Sequence, residues 1–141
     1  MSLPPPLQHP RVGCGAVTQR ADGAVLLVKR GRPPEQGHWG LPRGKVDWMG
    51  KVEDTVGREV LEETGLRIAL ERLLCVVDHF EPALGQHWVA PVYLARTLDD
   101  TPAASLEPEA ILDVDWFAAD ALPAPLTRSG TQGLARLAEP R

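Results

Sequence analysis

Apolar and polar positions change their spacing several times along the chain, and each change marks an element. Val12 to Gln19 is apolar and partly β-branched, and Ala24 to Lys29 is a second short apolar run, so both predict strands. Between them stands Arg20-Ala21-Asp22-Gly23, whose Asp-Gly step predicts a hairpin turn. Gly31 to His38, with Pro33-Pro34 and Gly37, reads as a loop. Trp39 to Pro42 reads as a short strand, and Gly44 to Gly50 as another loop. From residue 52 to 64 the period becomes helical. Val52, Val56, Val60 and Leu61 fall on one apolar face, and Gly65 sits where a helix C-terminal glycine belongs. Gly57 weakens that helix by about 1 kcal/mol relative to Ala.

Leu73 to Phe80 and His87 to Ala95 predict two further strands, with Pro82-Ala83-Leu84-Gly85 as the turn between them. Pro91 suits an edge strand or a bulge, because it cannot donate to a ladder. Ala110 to Phe117 predicts another strand, and Thr127 to Ala138, with Leu134 and Leu137, a closing helix. Residues 1–10 carry four prolines and read as an extended tail, which leaves 11–141 as one domain. Strands outnumber helices, so the fold class is mixed α/β.

Composition narrows the partners. The net charge of −4 disfavours a nucleic-acid polymer but leaves room for a small phosphorylated substrate bridged by metal ions. Two cysteines, Cys14 and Cys75, give neither a disulfide framework nor zinc spacing, and read as reduced, mostly buried thiols. No apolar run spans a bilayer and the start lacks a signal pattern, so the expectation is a cytoplasmic protein with no membrane partner.

The chemistry concentrates on the predicted helix. Glu59, Glu62 and Glu63 stand at i, i+3 and i+4 and share one face. Three adjacent carboxylates repel unless a cation offsets them, and hard divalent cations prefer such oxygen ligands. Taken alone the cluster reads more simply as a solvated face with Arg58 paired to Glu62. Its context changes that. Gly44-Lys45-Val46-Asp47-Trp48-Met49-Gly50, seven more residues, then Arg58-Glu59-Val60-Leu61-Glu62-Glu63-Thr64-Gly65-Leu66 resembles the Nudix box: a glycine, five residues, a glutamate, seven residues, then R-E-U-x-E-E-x-G-U with U aliphatic. Trp39-Gly40-Leu41-Pro42 resembles that family's approach to the box.

The resemblance implies a Nudix-type α/β/α sandwich with a central mixed β-sheet, and a hydrolase that uses Mg²⁺ or Mn²⁺ to cleave a phosphoanhydride bond in a nucleotide. It implies Glu59, Glu62 and Glu63 as metal ligands, with Arg58, Glu59 and Glu62 as catalytic residues. The backbone carbonyl at Arg43 is a further metal-ligand candidate. Gly44, Arg43 and Trp39 are candidates for the substrate side. Either Glu107 or Glu109, in Leu106-Glu107-Pro108-Glu109, is a candidate for completing the metal site. Dimers are common among such proteins, so a homodimer is an open expectation.

Two departures stand out. Gly50 occupies the place of the first box glutamate, and Arg43 that of the glycine usually found before the box glycine. Arg58 thereby loses a partner that Glu53 or Asp47 could replace. Loss of a group supporting a metal shell commonly costs ~10–100-fold in affinity or activity, so a catalytically impaired nucleotide-binding module stays open as an alternative. The substrate remains open between a nucleoside triphosphate and an ADP-ribose-like compound, since Pro82, sixteen residues after Leu66, is a weak marker of ADP-ribose pyrophosphatases. Trp39, Trp88 and Trp116 could stack on a base, and His79 and His87 could assist proton transfer, although a structural role is the simpler reading for each.

Overall fold

The computed structural model describes residues 8–140, so most of the proline-rich stretch expected over 1–10 lies outside the described residues. Strands β1 (Arg11–Gln19) and β2 (Val25–Arg30) form the hairpin that Asp22-Gly23 predicts. Gly23 takes φ +88°, its N–H donates to Arg20 O at 2.9 Å, and Asp22 accepts from Ala24 N at 3.0 Å. The two strands pair only at Gln19↔Val25 and then diverge. Where they part, β2 pairs antiparallel with β3 (Trp39–Gly40) on one edge and with β7 (Ile111–Phe117) on the other. Strand β1 pairs antiparallel with β4 (Arg43–Lys45) on one edge and in parallel with β6 (Gln86–Thr97) on the other, and β6 pairs antiparallel with β5 (Ile68–Glu81). The sheet is therefore mixed.

Helices cover it. Helix α1 (Val52–Thr64) packs on β1, β4 and β5, and α2 (Arg128–Ala138) on β1, β3, β5 and β6. Alternation along β1 serves both faces: Cys14 and Ala16 join Val56 of α1, while Val17 joins Leu134 of α2 together with Leu27, Val77 and Val92. This is the α/β/α sandwich that the resemblance implied.

Several expected boundaries move. Residues 43–45 form a strand although their glycine-rich sequence carries no alternation; the pairing with Gly13, Cys14 and Gly15 of β1 supplies the order instead. Strand β5 begins at Ile68, five residues before the expected start, because register shifts at Leu70/Arg72 and Leu73/Cys75 disturb the alternation of apolar positions. Pro91 lies on the inner strand β6. The β1–β6 ladder lapses between the Val12↔Val89 and Gly15↔Val92 pairs, which is where the missing N–H is tolerated. Leu61, assigned to the apolar face of α1, is 38 % exposed, one position (about 100°) round from the buried Val60.

Candidate active site

Helix α1 begins without a side-chain cap, but Thr55 Oγ1 donates to Lys51 O at 2.8 Å. It ends at Gly65, with φ +78°, whose N–H donates to Leu61 O at 2.9 Å. Two more of its terminal carbonyls, of Glu63 and Thr64, accept from Leu106 N and Ala104 N. That capping ties the loop before β7 to the end of the helix and brings the charge of Glu107 within reach of its acids.

The three glutamates are graded by depth. Glu62 is half exposed, the Glu59 carboxylate is largely covered, and Glu63 is 7 % exposed. Val56, Val60 and Glu63 follow one another at i+4 and i+3, so Glu63 lies at the margin of the packed face. Burial pushes the Glu63 carboxyl up to about 8, with Glu59 and Glu107 adding repulsion and the Arg43 N–H, which donates to Glu63 Oε2 at 3.3 Å, opposing it. Burial also raises Glu59, helped by Glu62 and Glu107. Glu109 instead faces solvent and lies 3.6 Å from Arg32. Of the two acids considered in that loop, Glu107 is the one coupled to the helix.

Gly44 explains why the box opens on a glycine. A Cβ there would fall on the Glu59 side chain, 2.7 Å from Oε1 and closer still to its carbons. Arg58 holds the outer rim, with its guanidinium 3.4 Å from Glu59, 3.6 Å from Glu62 and 3.8 Å from Asp47. Asp47 reaches it from the turn Asp47–Gly50, where Met49 has φ +63° and Gly50 N–H donates to Asp47 O at 2.8 Å. Gly50 itself has no positive φ; a Cβ there would lie 3.1 Å from Asp47 O. Arg43 is likewise free of positive φ, so a side chain at this position causes no backbone strain.

The Arg43 side chain turns inward. Its guanidinium donates to Ser129 Oγ at 3.4 Å and lies 3.8 Å from Glu35 Oε1. Glu35, at φ +60°, accepts from the N–H of Arg128 at the start of α2 at 2.7 Å. The ring of His79, 4 % exposed, sits between two acids, with Nε2 2.7 Å from Glu81 and Nδ1 3.6 Å from Glu35. These groups back a cavity of about 250 Å³ that opens beside Gly44 and is lined by Arg30, Arg43, His79, Gln86 and Trp88 among others. Sequence reasoning named Trp39 for the substrate side, but its ring packs edge-on against Phe117 at 5.0 Å and is not in the cavity lining. Trp88 lines the cavity instead. Arg30 and Glu35 went unnoticed because neither belongs to a motif; only the fold brings them to the box.

Does this set suit a divalent cation? Among the described residues no three His, Cys, Asp or Glu side chains close into a ready-made cage. The donor chemistry nevertheless fits. Glu59 and Glu63 are oxygen donors held in a partly desolvated place, each made less acidic by other carboxylates, and a hard dication would relieve that repulsion.

Helices cover both faces of a mixed sheet, and an acidic helix stands beside a cavity lined by arginines, which defines an α/β/α protein with a charged cleft. The family model of the NUDIX domain matches residues 9–137, so the chain belongs to the NUDIX family of pyrophosphohydrolases, whose members generally use divalent metal ions. A crystal structure of a MutT NUDIX hydrolase from Burkholderia pseudomallei is 53% identical, with a TM-score of 0.82, covering 92% of this chain and 98% of that one. The human 8-oxo-dGDP phosphatase NUDT18 is 33% identical over 115 residues, which are 81% of this chain and 34% of that protein. An ADP-ribose pyrophosphatase from Methanocaldococcus jannaschii is 40% identical over 86 residues, 61% of this chain and 50% of that protein. The chain thus spans about a third to a half of the length of these two relatives.

Proposed function

We propose that the chain is a Mg²⁺-dependent hydrolase, with Mn²⁺ as an alternative ion, that cleaves a phosphoanhydride bond in a nucleoside diphosphate linked to another moiety. The observation that carries this reading is the coupling of Glu59, Glu63 and Glu107 around Gly44, directly beside a cavity lined by two half-buried arginines. Glu59, Glu62 and Glu63 would hold the ion, with Glu107 and the Arg43 carbonyl as additional oxygen donors. A bound dication supplies charge neutralisation on the phosphates and lowers the pKa of water.

The chain's own residues do the rest. Arg58 ties Glu59 and Glu62 into one arrangement. Gly44 leaves room for the Glu59 carboxylate, and the Arg43 N–H fixes one oxygen of Glu63. A carboxylate of the cluster accepts the proton of the attacking water as its oxygen bonds to phosphorus; the bridging oxygen leaves with the electron pair of the broken P–O bond. The diphosphate lies along Gly44, and the nucleoside end of the substrate enters the cavity towards Arg43.

Asp47 takes the place of the missing first box glutamate. Its pairing with Arg58 at 3.8 Å favours a working enzyme over a decayed binding module. A Mg²⁺-dependent product-release screen over nucleoside di- and triphosphates, ADP-ribose and nucleotide sugars tests the proposal. Turnover that disappears in Glu62→Gln supports the assignment. Turnover untouched by that change removes the carboxylates from the chemistry, and no turnover of any compound favours the binding module.

A further inference from the structure

The cavity beside Gly44 carries a hydrogen-bonding bias that narrows the substrate. Its side-chain lining is rich in donors and poor in acceptors. Arg30 spends Nε on Pro34 O at 2.8 Å and one terminal nitrogen on Pro33 O at 3.5 Å, and Arg43 spends one terminal nitrogen on Ser129. A guanidinium has five N–H donors and no acceptor, so each arginine keeps donors in hand. Gln86 lines the same space; one lone pair of its Oε1 accepts from Trp88 Nε1 at 2.9 Å, and its amide N–H₂ brings two more donors. Both ring nitrogens of His79 are directed at Glu35 and Glu81 and away from a ligand.

Shape adds a second constraint. Trp88 forms a flat aromatic wall, tethered through its indole N–H, and Gly13 beside it admits no side chain without pressing on the ring, since a Cβ there would lie 3.1 Å from Trp88 Cε3. A volume of about 250 Å³ takes one ring system and not a second nucleotide. A planar ring presenting acceptor oxygens meets both constraints. Arginine forks pair with the carbonyl and ring-nitrogen acceptors of guanine, whereas adenine is read by side-chain amides that both donate and accept. The sequence has no asparagine, and one lone pair of Gln86 Oε1 is engaged by Trp88 Nε1, so the arginine forks outnumber the single amide in the lining.

We infer that this cavity selects a nucleobase bearing carbonyl oxygens, of the guanine or uracil type, over adenine, with Arg30 and Arg43 as the reading groups. The inference rests on the proposed cleavage of a base-bearing diphosphate at this site. It is tested first without chemistry, by calorimetric titration of the metal-free protein with GMP, UMP and AMP. GMP or UMP should bind tighter than AMP by on the order of tenfold to a hundredfold, and which of the two is tighter tells the purine from the pyrimidine. AMP binding as tightly as both overturns the inference. Arg30→Gln should bring the three ligands towards parity, and Arg30→Lys, which keeps the charge and loses the fork, should fall between. If Arg30→Gln fails to fold, Arg30→Lys alone decides. A folded variant that weakens all three ligands equally overturns the base-reading role of Arg30. Kinetics separate the two claims. Turnover with no base preference sinks this inference and leaves the hydrolase standing; base-selective binding with no turnover does the reverse. Where turnover exists, the preference should appear in KM more than in kcat.

Discussion

Glu63 is the residue whose burial has the largest measurable consequence. Its folded carboxyl titrates at about 8, against an ordinary value of 4.5. Between those values the folded protein keeps a proton that the unfolded chain has released. Unfolding therefore releases a proton in that window, and stability falls as the pH rises through it. Below about pH 4.5 both states are protonated and the contribution is fully present; above about pH 8 it is lost. At 1.36 kcal/mol per pKa unit, the full shift corresponds to about 5 kcal/mol, and relaxation around the charged form brings the expected loss to about 3 kcal/mol. For a domain of this size that is roughly 10 °C in Tm. The assay is thermal or urea unfolding from pH 5 to 8.5 with a chelator present, comparing the wild type with Glu63→Gln, which keeps the shape and removes the titration. The wild type should lose about 3 kcal/mol more than the variant across this range. Millimolar Mg²⁺ or Mn²⁺ should restore wild-type stability at pH 8 far more than at pH 5, since the ion binds the ionised form. Parallel curves for the two proteins would refute the reasoning.

Three other sites probe different links, one of them through a compensating second change. Gly44→Ala should fold with a loss of only about 1 kcal/mol, because the Glu59 carboxylate can swing aside, but titration calorimetry should show divalent-ion affinity down by about tenfold or more. Asp47→Asn should lower Mg²⁺-dependent turnover by about tenfold, and adding Gly50→Glu should recover most of it if Arg58 needs one carboxylate from this turn. Gly133→Val places a branched side chain where a bare Cβ would already lie 2.9 Å from Val92 and 3.2 Å from Val17, so urea unfolding should show about 2–3 kcal/mol of destabilisation.

The features legible in the sequence were those with a local cause. Asp22-Gly23 carries its turn in its own backbone preferences, and the valines of α1 carry its buried face. The acids of that helix were legible as a cluster because helical spacing alone puts them together. What depended on distant pairing was not legible. The parallel pairing of β1 with β6 and the β2–β7 ladder join segments about 75 to 90 residues apart, and no local pattern encodes them. The strand at Arg43–Lys45 exists because β1 offers it partners. The depth of Glu63 depends on the chain packed over it, so three equivalent-looking glutamates became three different groups. Trp39 and Trp88 looked alike as candidates until the fold sent one to the Phe117 side and the other to the cavity. Glu35 and Arg30 had no spacing to announce them, since they reach the site from a loop and the end of β2.

The most direct test is product release from nucleotide substrates by the purified protein, with Mg²⁺ or with a chelator, in the wild type and in Glu59→Gln. Release should require the ion and fall by on the order of 100-fold or more in the variant, with the fold and Tm retained. Release that continues in the chelator, or at an undiminished rate in Glu59→Gln, would contradict the account of the acidic helix as the seat of the chemistry.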